Sequence, residues 1–175
     1  CGKRYGDQEL LYHCNHCQEP LEVGEVFVGS IRVGNPLRQN MMDRYSDFFP
    51  YLQKTAVCLQ EGFTPLFKSS SFAQKLGIQE VLLKNETQNP TWSFKDRGTM
   101  VAMNYAIQKG FHQFGTVSTG NMAVSVAAYG AAAGKKTVIL VGNDIAKEKL
   151  APIAIYGAQV ILVDGEYGNL YQESI

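Results

Sequence analysis

The chain has 175 residues, 45% of them hydrophobic and 18% charged, an ordinary globular composition with room for one or two domains. Lys plus Arg (16) equals Asp plus Glu (16), so the formal net charge is zero, which removes the electrostatic basis for a nucleic-acid or anionic-membrane partner. No apolar run approaches the ~18 residues of a membrane span, and no charged leader precedes an apolar core; the expected location is cytoplasmic.

In chain order, residues 1–25 are polar and rich in Cys, His and Gly, and predict a small loop-rich module. Cys14-Asn15-His16-Cys17 has the C-x2-C spacing of a metal knuckle, and Cys1-Gly2-Lys3-Arg4-Tyr5 has the form of the second half of another such pair. Three thiolates near one another suit a soft, structural ion such as zinc, with Cys1, Cys14 and Cys17 as candidate ligands and His13, His16 or Cys58 as weaker additions. Free thiols or one disulfide are the competing readings. Cys58, alone in sequence, reads as a small buried hydrophobe.

Residues 43–50 predict a short helix or turn ending at Pro50. Glu61-Gly62-Phe63-Thr64-Pro65-Leu66 predicts a turn, followed by a short strand and helix. Residues 80–84 predict a buried strand. Residues 96–109 carry Met100, Val101, Met103, Ala106 and Ile107 at helical spacing, with Gly110 as the stop. Beyond them come a strand (115–118), a small-residue helix (122–133), a strand (137–141), a helix (146–156) and a strand (159–163). Apolar strands alternating with helices predict a parallel sheet in a three-layer α/β fold.

Two of the connections carry chemistry. The first runs Asn89-Pro90-Thr91-Trp92-Ser93-Phe94-Lys95-Asp96-Arg97-Gly98. A helix is predicted to begin near Lys95, with Asp96 favourable in its first turn. The positive end of a helix is a poor place for an ammonium and favours the neutral amine, the form that Schiff-base chemistry uses. A solvated loop lysine is the competing reading. The second is Ser118-Thr119-Gly120-Asn121-Met122-Ala123, between strand and helix. Gly120 permits a tight turn, and the backbone N–H groups after it form an anion site at the helix N-terminus. A plain connecting turn capped by Asn121 is the competing reading.

Together these motifs resemble those of threonine synthases, in the fold-type-II family of pyridoxal-phosphate (PLP) enzymes. The resemblance implies that Lys95 holds PLP as a Schiff base and acts in acid–base steps. It also implies that Phe94 packs near the cofactor ring and that Asn121 contacts the ring oxygen. Ser118, Thr119, Gly120 and Asn121 are then expected to grip the carboxylate of a small amino-acid substrate. Trp92 departs from the small or aliphatic residue expected at its position. The Gly-x-Thr-Pro-Leu turn of residues 62–66 matches the family too, and reads as architectural. Cys1, Cys14 and Cys17 are similar to the short zinc ribbon that begins many threonine synthases.

The fold this implies is α/β, of the tryptophan synthase β-like kind and cut short. Its expected parts are a zinc-ribbon-like segment (1–25), part of the larger catalytic domain (26–111) and part of the smaller α/β domain (112–175). The expected reaction converts O-phosphohomoserine and water to threonine and phosphate. A threonine or serine dehydratase and a cysteate-synthase-like lyase compete within the enzyme class. A zinc-ribbon binding module and an inactive homologue compete from outside it. A homodimer is left open as a partner. The Gly-rich phosphate loop and the pyridine-nitrogen partner that the family carries far downstream do not occur before Ile175, so weak or absent activity is expected of residues 1–175 alone.

Overall fold

The computed structural model describes residues 1–6, 8, 9, 11–24, 40–53 and 55–164. It divides into two compact units, Cys1–Arg32 and Val33–Ile175. The first holds one hairpin-like knuckle. An isolated antiparallel bridge pairs His13 with Pro20, and Gln18 N–H donates to Cys14 O at 2.9 Å. Gln18 completes the tight turn at φ 60°.

The second unit opens with a short helix, α1 (Met41–Arg44), capped by the Asn40 side chain, and a 3-10 turn at Ser46–Phe48. The segment after it forms no strand, yet its backbone is not left unpaired. Asn104 Oδ1 accepts from Ala56 N–H (2.6 Å) and Val57 N–H (3.0 Å), and Asn104 Nδ2 donates to Val57 O and Met100 O, both at 2.8 Å. Gln108 similarly takes Gln53 N–H and gives to Tyr51 O, both at 2.8 Å. Two side-chain amides therefore do for this segment what a neighbouring strand would do.

β1 (Leu66–Lys68), α2 (Ser70–Leu76) and β2 (Leu82–Lys84) follow, and the two strands pair antiparallel, Phe67 opposite Leu83. The apolar residues 80–84 predicted a buried strand; the structure corrects this. Leu66, Phe67 and Leu82 are exposed, because a two-stranded ribbon has no sheet face laid on it by the described residues.

From α3 (Lys95–Gln108) onward the order is regular: β3 (Gln113–Val117), α4 (Asn121–Ala132), β4 (Lys136–Gly142), α5 (Lys147–Ala154) and β5 (Gln159–Val163). β3, β4 and β5 form a parallel sheet in that order, with Gly115 beside Val138 and Ile139 beside Val160. These elements match the sequence-based expectations to within a few residues; β4 and β5 are each built on one apolar run, while β3 is the mixed segment Gln113–Val117. Thr137, Ile139 and Val141 alternate inward and are buried, and Ile139 and Val141 join Met100, Met103, Tyr129 and Ile153 in one core. Val138 and Leu140, on the other face, are half-buried. The described residues thus contain the sheet and one helical layer of the three expected.

The fit between α4 and the sheet depends on Gly130. A Cβ there would lie 1.9 Å from Thr137 Oγ1 and 3.2 Å from Thr137 Cβ, so the helix approaches β4 to within glycine distance. Gly130→Ala is expected to lower unfolding stability by about 1–3 kcal/mol through overpacking. Adding Thr137→Ala should recover most of that loss, a non-additivity read by denaturant unfolding of the two single variants and the double.

Candidate active site

Lys95 is the first residue of α3, as its sequence context predicts. The turn before it is closed by the next residue. Asp96 has no solvent exposure, and its carboxylate takes Thr91 N–H on Oδ2 at 2.7 Å and Thr91 O–H on Oδ1 at 2.6 Å. Residues 91–96 therefore form a ring pinned at both ends, and Ser93 Oγ accepts Lys95 N–H at 3.2 Å inside it. Trp92 lies on this ring at φ 60° and is 80% exposed. The left-handed region favours glycine, so Trp92 sits there at a backbone cost while its side chain faces solvent.

The Lys95 amine makes no hydrogen bond or ion pair among the described residues. It lies 4.4 Å from the centroid of the exposed Phe94 ring. The neighbouring carboxylates are engaged elsewhere. Asp96 faces inward, and Glu86 receives Arg97 Nε at 2.7 Å and Arg97 Nη2 at 2.9 Å.

That Arg97–Glu86 pair is the centre of a second cluster. Thr64 Oγ1 donates to Glu86 at 2.7 Å, and Arg97 Nη2 lies 3.0 Å from Thr64 Oγ1. Asn89 is buried; its Nδ2 donates to Glu86 Oε2 (2.9 Å) and its Oδ1 accepts Gly62 N–H (3.0 Å). Lys84 donates to Thr64 O. Gly62, at φ 87°, leaves room for the guanidinium: a Cβ there would lie 3.2 Å from Arg97 Nη1. The 62–66 turn is thus bonded to the lysine segment through Glu86, Asn89 and Arg97. The Arg97 guanidinium, with help from Thr64 and Asn89, holds the Glu86 carboxyl down at about 2.

The loop at Ser118–Asn121 lies at the end of β3 and the start of α4. Gly120 is the N-cap, with no side-chain cap hydrogen bond to the first amides of the helix, and its own N–H donates to Ser118 Oγ at 3.3 Å. Asn121 is the first helical residue and is exposed. The structure brings this loop towards the lysine turn through the first turns of the two helices. Ser125 Oγ donates to Asp96 Oδ1 at 2.6 Å and lies 2.8 Å from Thr99 Oγ1, and Thr99 Oγ1 is 3.8 Å from Met122 Sδ. A further buried contact holds the far end of α4. Tyr129 donates to Glu61 Oε2 at 2.5 Å, and Leu59 N–H donates to the same oxygen at 3.0 Å. Burial, then the bond to Glu61, pushes the Tyr129 phenol far above its ordinary range. Cys58, expected to be a buried hydrophobe, is half-buried and has its thiol 3.4 Å from Glu61 Oε1.

Sequence reasoning missed Glu86, Arg97, Glu61, Tyr129 and Ser125. Their common signal is a charged or polar residue set among apolar or motif residues. Spacing gives no partner for such a residue.

In the first unit the sulfurs of Cys1, Cys14 and Cys17 lie within 4.8 Å of one another. No disulfide joins them. Tyr5 O–H lies 3.2 Å from Cys14 Sγ, and His16 N–H donates to the same sulfur at 3.4 Å. These bonds, the tyrosine's first, lower the Cys14 thiol to about 6. Neither His13 nor His16 joins the cluster.

The second unit thus carries a lysine amine with no bond among the described residues at one helix start and, beside it, a helix start that no side chain caps. Residues 57–174 match the family model "Pyridoxal-phosphate dependent enzyme", and the chain belongs to that family. It is 38% identical to the threonine synthase of Methanocaldococcus jannaschii over 97% of its own length and 43% of the relative's. It is 34% identical to that of Methanosarcina acetivorans over 97% of itself and 42% of the relative. The chain therefore spans less than half the length of these relatives. Among solved structures, a pyridoxal 5'-phosphate-dependent aspartate racemase is similar at a TM-score of 0.58 and 25% identity, over 64% of this chain and 36% of the other. An O-ureido-L-serine synthase is similar at 0.56 and 28%, over 63% and 37%.

Because Glu86 titrates lower folded than its ordinary 4.5, its contribution to stability is complete above about 4.5 and is lost as pH falls towards about 2. Glu86→Gln is expected to cost about 2 kcal/mol at neutral pH through lost charge-assisted bonds. The gap to wild type should close across that acid window in unfolding curves taken at stepped pH.

Proposed function

We propose that this chain is the N-terminal part of a threonine synthase, which converts O-phosphohomoserine and water to threonine and phosphate. The observation that carries this reading is the placement of Lys95 and Asn121 at adjoining helix starts in a chain 38% identical, over 97% of its length, to a threonine synthase.

The residues fit the cofactor. Lys95 offers an amine with no competing carboxylate, and Phe94 offers an exposed ring beside it. When bound, PLP supplies the electron sink for a carbanion at the substrate α-carbon. The Lys95 Nζ would hold the cofactor and would take and return protons at substrate carbon. Residues 118–121, at the start of α4 that no side chain caps, would bind the α-carboxylate, where the helix end favours negative charge. Asn121 directs its side-chain amide to the cofactor ring oxygen. The Arg97–Glu86–Asn89 cluster keeps the 62–66 turn against the lysine segment.

In the first unit, three clustered sulfurs, one with its thiolate favoured near neutral pH, support a structural zinc site with Cys1, Cys14 and Cys17 as ligands. The expected compartment is the cytoplasm, and no described helix is long and apolar enough to cross a membrane. Residues 1–25, 26–111 and 112–175 are proposed as the ribbon, the larger-domain part and the smaller-domain part. A homodimer remains the proposed assembly.

Borohydride reduction of the full-length protein with PLP should place the cofactor on Lys95 by peptide mass. Lys95→Ala should lose both the adduct and phosphate release from O-phosphohomoserine. An adduct spread over other lysines sinks the reading. Separately, Cys14→Ser should lower bound zinc from about one per chain to near none by metal analysis, while the PLP adduct at Lys95 persists.

A further inference from the structure

Resting on the carboxylate grip and cofactor lysine proposed above, we propose that Asp96 is a positioning residue that locks the lysine turn and the carboxylate loop into one frame, with Ser125 as the arm that reaches the loop. Asp96 has no exposure and does not face the amine beside it in sequence. Its oxygens instead collect two donors from Thr91, which close the ring carrying Lys95, and one from Ser125, one helical turn beyond Asn121. Ser125 is itself fully buried. A carboxylate this deep holds each donor tightly, because a released donor would leave charge unmet in a low-dielectric setting. Oδ1 serves Thr91 and Ser125 at the same distance, 2.6 Å, so a tilt of α4 that moves Asn121 is felt at the ring, and the reverse.

The two arms divide the work. The Thr91 arm fixes the direction in which Lys95 leaves the helix. The Ser125 arm fixes the tilt of the helix start whose amides meet the carboxylate. Removing the Ser125 arm leaves the lysine ring closed by two bonds and frees the loop. The consequence is specific: ligands that carry an α-carboxylate lose affinity, whereas amines without one do not. Glue between two helices would instead affect both alike.

The test uses the full-length protein loaded with PLP and two unreactive probes. One is 2-amino-5-phosphonopentanoate, in which a methylene replaces the ester oxygen of O-phosphohomoserine so that phosphate cannot leave. The other is 4-aminobutylphosphonate, the same molecule without its carboxylate. Binding is read from the change in cofactor absorbance, and the Lys95 adduct is counted after borohydride reduction. Ser125→Ala is expected to weaken the amino-acid probe by roughly tenfold, the worth of one hydrogen bond to a charged group. The amine probe should change by less than about twofold, with the Lys95 adduct as in wild type. Ser125→Cys keeps the volume while weakening the donor, and should move the same way if the alanine protein does not fold. Equal weakening of both probes, or none of either, overturns the inference and leaves the cofactor reading intact. A wild-type protein that takes no PLP on Lys95, or that does not prefer the amino-acid probe, overturns the cofactor reading and this inference with it.

Discussion

A carboxylate removed from water has to be surrounded by donors, and Asp96 is surrounded by donors from two different elements. That requirement arranges the rest. Thr91 must come back over the start of α3, which bends residues 92–95 into a closed turn and forces Trp92 into the left-handed region. Ser125 must face α3, which sets the first turn of α4 against the first turn of α3. The early turns of the two helices are held together by the Asp96 carboxylate buried between them. Asp96 lies in the first turn of α3, where the macrodipole favours a carboxylate.

Around this centre the other buried acids do related work without duplicating it. Glu61 reaches Tyr129, one turn beyond Ser125 along α4, and Leu59 on the segment before the 62–66 turn. Glu86 holds Arg97, and through Thr64 and Asn89 the same turn. α4 is thus fastened at two points by carboxylates from two chain segments. Because each bond is charge-assisted and partly or wholly dry, breaking one leaves an unmet charge, and the assembly behaves as one piece. Gly130 completes the fit from the sheet side by letting α4 come close to Thr137.

The sequence made the sheet legible because period and apolar content decide it. Residues 137–141 and 159–163 have only one way to bury their side chains, and β4 and β5 lie where those runs lie. The placement of Lys95 and Asn121 at helix starts was legible because their motifs are short and contiguous, each joining a turn to a helix. The 80–84 run misled because apolarity states a preference for burial without supplying the surface that buries it. The chain 51–59 was not legible at all, because its order comes from the amides of Asn104 and Gln108 on a helix about fifty residues later. The acids were missed for the same reason. Glu61 and Glu86 read as ordinary charged residues, and Asp96 as an acid suited to a helix start, until the donors that surround them are known.

The arrangement also bears on the covalent role proposed for Lys95. A lysine with a carboxylate in ion-pair reach would be tethered to it and would have to break that pair whenever it left or rejoined a cofactor. Here the acid next in sequence is turned inward and satisfied by Thr91 and Ser125, and the acid nine residues earlier is satisfied by Arg97. The amine is left with an aromatic face, a contact worth about 0.5–1 kcal/mol at an exposed position and therefore easily given up. The same buried carboxylates that fix the backbone around the lysine are thereby withheld from its side chain. Rigidity of the turn and freedom of the amine come from one set of bonds.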